Sequence, residues 1–97
     1  MKKIKNIHPG EVLKEEFLIP LNISAYRLCK ETDIAQTRIS EIIKGNRSIT
    51  ADTALRLAKY FGNTPNFWLG LQNDFDIEEE LLEKGDQFNR IKRLKIA

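Results

Sequence analysis

Apolar residues recur every three or four positions in five segments of this chain, which is the spacing of amphipathic helices. No segment shows the two-residue alternation that a half-buried strand requires. All three prolines fall at segment edges, where a missing amide hydrogen does least harm to a helix. The pattern therefore predicts an all-α protein of five helices. The residues predicted to face inward are Val12, Leu13, Phe17, Leu18, Ala25, Leu28, Cys29, Ala35, Ile39, Ile42, Ile43, Ala54, Leu57, Ala58 and Phe61.

The segment from Ser24 to Ile49 contains two short amphipathic helices joined by a tight polar turn at 30–33. Ser24 is a good N-cap for the first of these helices, and Gly45 is well placed to end the second. Two helices crossed by a short turn allow the second one to project polar side chains into a DNA major groove. This segment therefore predicts a helix-turn-helix DNA-binding unit.

The fifth helix has Pro65 at its first position, which is a strong start signal. It either continues to 81–82 or breaks near 73–74, and the sequence leaves both alternatives open. Residues 85–97 show no clear periodicity. We therefore predict a DNA-binding domain at 1–84 and a C-terminal tail at 85–97, which we expect to be mobile.

The third helix, at about 35–44, turns a polar face outward if its isoleucines pack inside. Gln36 can form two hydrogen bonds with adenine, Thr37 can contact a base or a thymine methyl, and Glu41 can accept from cytosine. Arg38 can reach a guanine or a phosphate. Such a face on an isolated helix is most simply a solvated surface. Its place directly after a helix and a tight turn favours base recognition instead.

A basic polar corner follows the third helix and supplies side chains suited to phosphate oxygens. Ser24 and Arg27 flank the start of the second helix, where backbone amides can also bind a phosphate. Ser24 is equally well explained as a helix cap alone. The predicted DNA-binding residues are Gln36, Thr37, Arg38, Ser40, Glu41, Lys44, Asn46, Arg47, Ser24 and Arg27.

The distribution of charge is more informative than the net charge of +2, which is too small to indicate nucleic-acid binding. Basic residues surround the two-helix unit, six acidic residues lie within 74–83, and the C-terminal tail is basic again. Phosphates would repel the acidic run, so it marks a surface turned away from DNA. That surface is either a solvated helix face or a docking site for a basic protein.

A chain of 97 residues forms one small domain. It buries only about 60–65% of its unfolded surface, so a partner can usefully extend its core. The apolar band of the fifth helix is wider than one buried stripe requires, although burial in the monomer is the simplest explanation for Trp68. A homodimer would place two recognition helices about 34 Å apart to read a palindrome. The predicted dimer interface is Phe67, Trp68, Leu71 and Phe75.

The composition argues against secretion, membrane insertion, metal binding and catalysis. Cys29 is the only cysteine, which fits a reducing cytoplasm. No apolar run approaches the ~20 residues that cross a bilayer, and no signal segment is visible, so we expect a cytoplasmic protein without a membrane partner. A single histidine, a single cysteine and no glycine-rich phosphate loop predict no metal, no cofactor and no enzymatic activity.

Residues 7–77 resemble the HigA-type antitoxins, also called virulence-associated protein I, through motifs that ordinary helix-turn-helix repressors lack. The motifs are His8-Pro9-Gly10-Glu11, Glu16-Phe17-Leu18, Ile39-Ser40-Glu41-Ile42-Ile43-Lys44-Gly45, Thr53-Ala54-Leu55-Arg56-Leu57-Ala58, Phe61-Gly62-Asn63-Thr64, Phe67-Trp68-Leu69 and Leu71-Gln72. The resemblance implies a homodimeric, Cro/repressor-like (lambda-repressor-like) domain whose recognition positions are those already selected on the third helix.

The resemblance also implies two activities. One is binding to operator DNA in the protein's own promoter, and the other is neutralising a HigB-type toxin, an mRNA-cleaving ribonuclease. Two alternatives remain open: a stand-alone or phage-type repressor without a toxin, and a protein-interaction module that does not bind DNA. A small basic reading frame beside the gene would favour the antitoxin.

Overall fold

Helices are the only regular elements in the computed structural model, which describes residues 5–96. The first helix, α1, has an α-helical turn at Pro9–Val12 and a π-helical turn at Leu13–Leu18. The others are α2 (Ala25–Thr32), α3 (Gln36–Ile43), α4 (Ala51–Phe61) and α5 (Pro65–Asn89). Over these residues the predicted all-α architecture of five helices is confirmed.

Side-chain caps explain where four of the helices begin. Each cap accepts a hydrogen bond from a first-turn N–H that has no partner within the helix. The helices α2 and α4 end at Asp33 and Gly62, whose left-handed φ angles are 56° and 76°. The capping atoms are His8 Nδ1 and the hydroxyl oxygens of Ser24, Thr50 and Thr64, at 2.9, 3.0, 3.5 and 3.1 Å from the donor nitrogens.

The second half of α1 is π-helical, which the apolar spacing did not predict. The Ile19 N–H donates to the carbonyl of Lys14, five residues earlier, at 3.0 Å. Phe17 lies in this wider turn, and its ring centroid is 4.9 Å from those of Phe61 and Trp68. These three rings join α1, α4 and α5.

The core differs from the prediction at the ends of helices and in loops. Ala25 and Ala35 are exposed because they lie at the start of α2 and just before α3. Ile34 and Ile49 are buried but lie between helices, where helical periodicity carries no information. The buried apolar residues are Leu13, Leu18, Leu28, Cys29, Ile34, Ile39, Ile42, Ile49, Ala54, Leu57, Ala58 and Trp68.

The fifth helix is 25 residues long and does not break at 73–74. The helix is kinked at Lys84, whose φ and ψ angles (−125° and 16°) are not helical, and the helical stretch after the kink ends at Asn89. Residues 85–89 are therefore helical, so the predicted tail at 85–97 is not irregular throughout. The division of the chain at position 84 stays a prediction, and residues 1–4 and 97 lie outside the described part.

Gly10 allows the backbones of α1 and α3 to touch. A Cβ at this position would lie 1.7 Å from the carbonyl oxygen and 2.6 Å from the carbonyl carbon of Ile42. No side chain fits into that space, so the motif at residues 8–11 uses glycine for close helix packing. The contact supports α3 from the side that faces the core.

His8 joins the start of α1 to α5. Its Nδ1 accepts the Gly10 N–H at 2.9 Å, and its ring meets Phe75 edge-on at a centroid distance of 4.9 Å. Burial lowers the pKa of His8 below its usual 6.5, and the nearby charge of Asp76 partly opposes that shift. The folded protein therefore favours the neutral imidazole, which keeps Nδ1 available as the cap.

We expect this histidine to make the protein less stable in mild acid. The unfolded chain binds more protons than the folded one as the pH falls through about 6.5, so the free energy of unfolding falls in that window. Thermal unfolding at about pH 7.5 and about pH 5.5 would measure the change. In His8→Asn, the amide oxygen of the asparagine can cap the helix without titrating. We therefore expect a smaller fall in the free energy of unfolding between the two pH values. Equal losses in both proteins would contradict this role for His8.

Candidate nucleic-acid interface

The helix-turn-helix consists of α2, a short turn after the left-handed Asp33, and α3. Ile39 and Ile42 are 1% and 0% exposed, so one face of α3 lies in the core. The opposite face is open. Its exposed side chains are Gln36, Thr37, Ser40 and Lys44, all of which were predicted from the sequence as DNA-binding residues.

The loop between α3 and α4 is anchored from inside the protein by α5. The Ile49 N–H donates to the side-chain oxygen of Gln72 at 2.8 Å, and the Gln72 amide donates to Asp76 at 2.9 Å. Gln72 is only 5% exposed. This anchoring leaves Asn46 and Arg47 exposed on the outer part of the loop.

Sequence reasoning missed this role of Gln72. The available signal was a polar residue four positions after Trp68, on the face of α5 that packs inward. A buried amide in such a place requires hydrogen-bond partners, and here the partners belong to the loop beside the recognition helix. Periodicity alone could not identify them because Ile49 is distant in the chain.

Arg38 is the predicted contact whose surroundings differ most from expectation. It is half-buried, and its Nη1 donates to the carboxylate of Asp52 at 2.7 Å and lies 3.4 Å from the Thr53 hydroxyl. Arg56 donates to the same Asp52 oxygen at 3.0 Å. The guanidinium of Arg38 first, and that of Arg56 next, lower the pKa of Asp52 below its usual value. The guanidinium of Arg38 is therefore paired within the protein, and its contact with a guanine or a phosphate stays a prediction.

Glu41, Ser24 and Arg27 are also constrained by the protein. Glu41 is half-buried rather than fully exposed. The Ser24 hydroxyl accepts the Arg27 N–H at 3.0 Å, and the Arg27 side chain donates to Glu31 at 3.1 Å. Ser24 therefore acts at least as a cap, and the guanidinium of Arg27 is exposed but already paired.

The structure adds Tyr26 to this surface. Its side chain is 59% exposed, and it lines a groove between α2 and α3 together with Gln36 and Ser40. The ammonium of Lys30 lies 5.7 Å from the centre of the Tyr26 ring. The sequence did not point to Tyr26 because the periodicity of α2 does not show which of its exposed side chains borders α3.

Trp68 is not available for a dimer interface. It is fully buried in the monomer, and its indole N–H donates to Asn63 at 2.9 Å. This corrects its inclusion among the predicted interface residues. Phe67 is 40% exposed, and Leu71 and Phe75 are half-buried. The most exposed apolar residues of α5 lie further along it, at Ile77, Leu81 and Leu82.

Within 5–96, no group of three histidine, cysteine or acidic side chains is arranged to bind a metal. Over the same residues, no helix combines the length and the apolar character needed to cross a membrane. The exposed polar side chains of α3 and of the loop that follows it form the candidate site.

Comparison with known proteins agrees with this geometry. The helix-turn-helix family model matches residues 13–68. The chain is 49% identical over 72 residues to Virulence-associated protein I of Dichelobacter nodosus, which is 74% of this chain and 67% of that protein. An addiction module antidote protein of the HigA family from Coxiella burnetii has a TM-score of 0.87 at 46% identity, covering 94% of this chain and 100% of that one. The Pseudomonas aeruginosa antitoxin HigA, solved with the higBA promoter, has a TM-score of 0.88 at 33% identity, covering the same shares.

The fold and the exposed face of α3 define the class of protein as a helix-turn-helix DNA-binding regulator with the Cro/repressor-like fold, which confirms the predicted fold class. Within that class, the chain belongs to the HigA antitoxin family. This family is one of regulators and antitoxins rather than enzymes, as the sequence predicted.

Proposed function

We propose that this protein is a dimeric, cytoplasmic repressor of its own promoter and the antitoxin of a HigB-type, mRNA-cleaving toxin. The observation that carries the repressor part is the exposed polar face of α3 on a helix whose other face is buried. A relative solved with a promoter supports DNA binding, and a relative described as an antidote protein supports the antitoxin part.

The proposed DNA contacts divide into two kinds. Gln36, Thr37 and Ser40 are exposed on α3 and suit direct contact with base edges, with Glu41 at the margin of this face. The proposed phosphate contacts set register and supply affinity without reading the sequence. They are Lys44, Asn46, Arg47, Ser24 and Arg27.

The proposed homodimer rests on the apolar surface of α5. Ile77 and Leu81 are 58% and 49% exposed and form a stripe on one side of the helix, and Phe88, 39% exposed, follows after the kink at Lys84. A small protein rarely leaves such a stripe in water unless a partner covers it. We therefore propose that the interface includes this stripe, next to the predicted contacts Phe67, Leu71 and Phe75.

The proposed toxin contact rests on the negative charge of α5. The acidic residues of α5 within 74–83 are exposed and suit a basic protein partner, such as a ribonuclease that binds RNA. The test is to co-express this protein with a candidate toxin encoded beside its gene and to measure growth. Restored growth is expected. If growth stays arrested, the stand-alone repressor becomes the better explanation.

Two substitutions test the DNA-binding proposal because they predict different outcomes. We expect Arg47→Ala to weaken binding to operator and scrambled duplexes alike and to reduce the salt slope by about 1. We expect Gln36→Ala to cost about 1–3 kcal/mol on the operator only, and to relax the preference at one base pair. Fluorescence anisotropy over a salt series, with both duplexes, would measure both effects.

The wild-type protein serves as the reference in the same titration. Tight, selective binding of the promoter duplex is expected. Equal and weak binding to both duplexes would count against a repressor. If Gln36→Ala left the preferred operator unchanged, the assignment of α3 as the recognition helix would be wrong.

A further inference from the structure

One carboxylate connects the recognition helix to the two elements beside it. Asp52, in the first turn of α4, accepts from Arg38 of α3 at 2.7 Å and from Arg56 of α4 at 3.0 Å. Arg56 also donates to the backbone carbonyl of Thr32, at the end of α2, at 3.1 Å. The Asp52 carboxylate is therefore fixed in place beside α3 before any DNA arrives.

Stability does not explain this arrangement well. The side chains of Asp52 and Arg38 are 53% and 32% exposed, and ion pairs in contact with water contribute little to folding. A guanidinium is, however, the side chain best suited to bind a phosphate. An arginine on a recognition helix that is paired with a carboxylate cannot give its strongest hydrogen bonds to DNA at the same time.

We propose that Asp52 withholds Arg38 from DNA phosphates and thereby lowers binding to DNA of any sequence. Arg38 lies beside the polar face of α3 rather than within it, so its long side chain could reach the backbone but is poorly placed to read bases. A phosphate contact at this position would add affinity for every sequence equally. Asp52 pairs with the guanidinium and so lowers the affinity for operator and non-operator DNA alike. This inference rests on the proposed DNA binding.

The experiment compares the wild type with Asp52→Asn, Arg38→Gln and the double variant on operator and scrambled duplexes. We expect Asp52→Asn to bind the scrambled duplex more tightly, with a salt slope steeper by about 0.9. The ratio of its affinity to that of the wild type on this duplex should fall by about 3.5-fold as the salt concentration rises from roughly 50 to 200 mM. The affinity for the operator should rise by the same factor, so the ratio of operator to scrambled affinity should keep its wild-type value. The double variant should lose the gain because Arg38 is the group released.

Asp33→Asn is the matched control. It removes one negative charge at the turn before α3, and asparagine tolerates the left-handed φ of 56° that this position adopts. If Asp33→Asn raised non-specific affinity as much as Asp52→Asn does, a general charge effect would account for the result. An equal gain in Asp52→Asn and in the double variant would overturn the proposal as well.

Arg38→Gln alone provides an independent test if Asp52→Asn does not fold. Because Arg38 makes no phosphate contact in the proposal, we expect the salt slope on the scrambled duplex to keep its wild-type value. A slope shallower by about 0.9 would show that Arg38 already binds a phosphate, and would overturn the proposal. A wild-type protein that binds neither duplex would instead contradict the proposed function.

Discussion

Gly10→Ala is expected to destabilise this protein by at least the upper end of the ~1–3 kcal/mol that overpacking a core costs. The added Cβ would lie 1.7 Å from the carbonyl oxygen of Ile42 and 3.0 Å from the Cα of Ile43. These are backbone atoms, so no change of side-chain rotamer can relieve the clash. The helices α1 and α3 must therefore move apart, and the recognition face must move with α3.

Thermal unfolding measures this effect, and we expect the Tm to fall by more than about 10 °C in a domain of this size. Gly70→Ala is the control, since a Cβ at that position in α5 meets nothing within 4 Å. Gly70→Ala is expected to raise the free energy of unfolding by about 0.5–1 kcal/mol because alanine is the better helix former. If the two variants had the same Tm, the close contact between α1 and α3 would not restrict which side chains position 10 can carry.

Leu81→Asp is expected to convert the proposed dimer into a monomer and to weaken operator binding by about 10²–10⁴-fold. Leu81 lies in the exposed apolar stripe of α5, between Ile77 and Phe88. A carboxylate there would have to lose water and meet apolar side chains of the second subunit. Without the dimer, each recognition helix binds its half-site independently, and the gain from linking two half-sites is lost.

Light scattering after size-exclusion chromatography would measure the oligomeric state, and anisotropy would measure the affinity. Leu55→Asp is the control for oligomeric state because Leu55 is 52% exposed, close to the 49% of Leu81, but lies on α4. We expect Leu55→Asp to remain dimeric. A Leu81→Asp protein that stayed dimeric would place the interface elsewhere on the molecule.

Local signals in the sequence predicted the helix-turn-helix with good accuracy. The cap at Ser24 and the helix end at Gly45 act through atoms only a few residues away, so their effect can be read without knowing the fold. The π-helical turn of α1 was not predictable in this way. The spacing of Leu13, Phe17 and Leu18 suits either kind of helix.

Residues distant in the chain decided the rest of the candidate site. Trp68 was proposed for a dimer contact, but the rings of Phe17 and Phe61 enclose it within the monomer. Arg38 was predicted to contact DNA, and in the structure its guanidinium is paired with Asp52, fourteen positions later in the chain. In each case the partner belongs to another helix.

The sequence by itself determined the five helices, the cap at Ser24 and the outward polar face of α3, because helical periodicity and capping depend on neighbouring residues. Only the tertiary structure decided which of those polar side chains are free. Hydrogen bonds such as Arg38 to Asp52 and Ile49 to Gln72 form between elements that only folding brings together. The same holds for the contact of Gly10 with Ile42, which depends on how closely two helices approach.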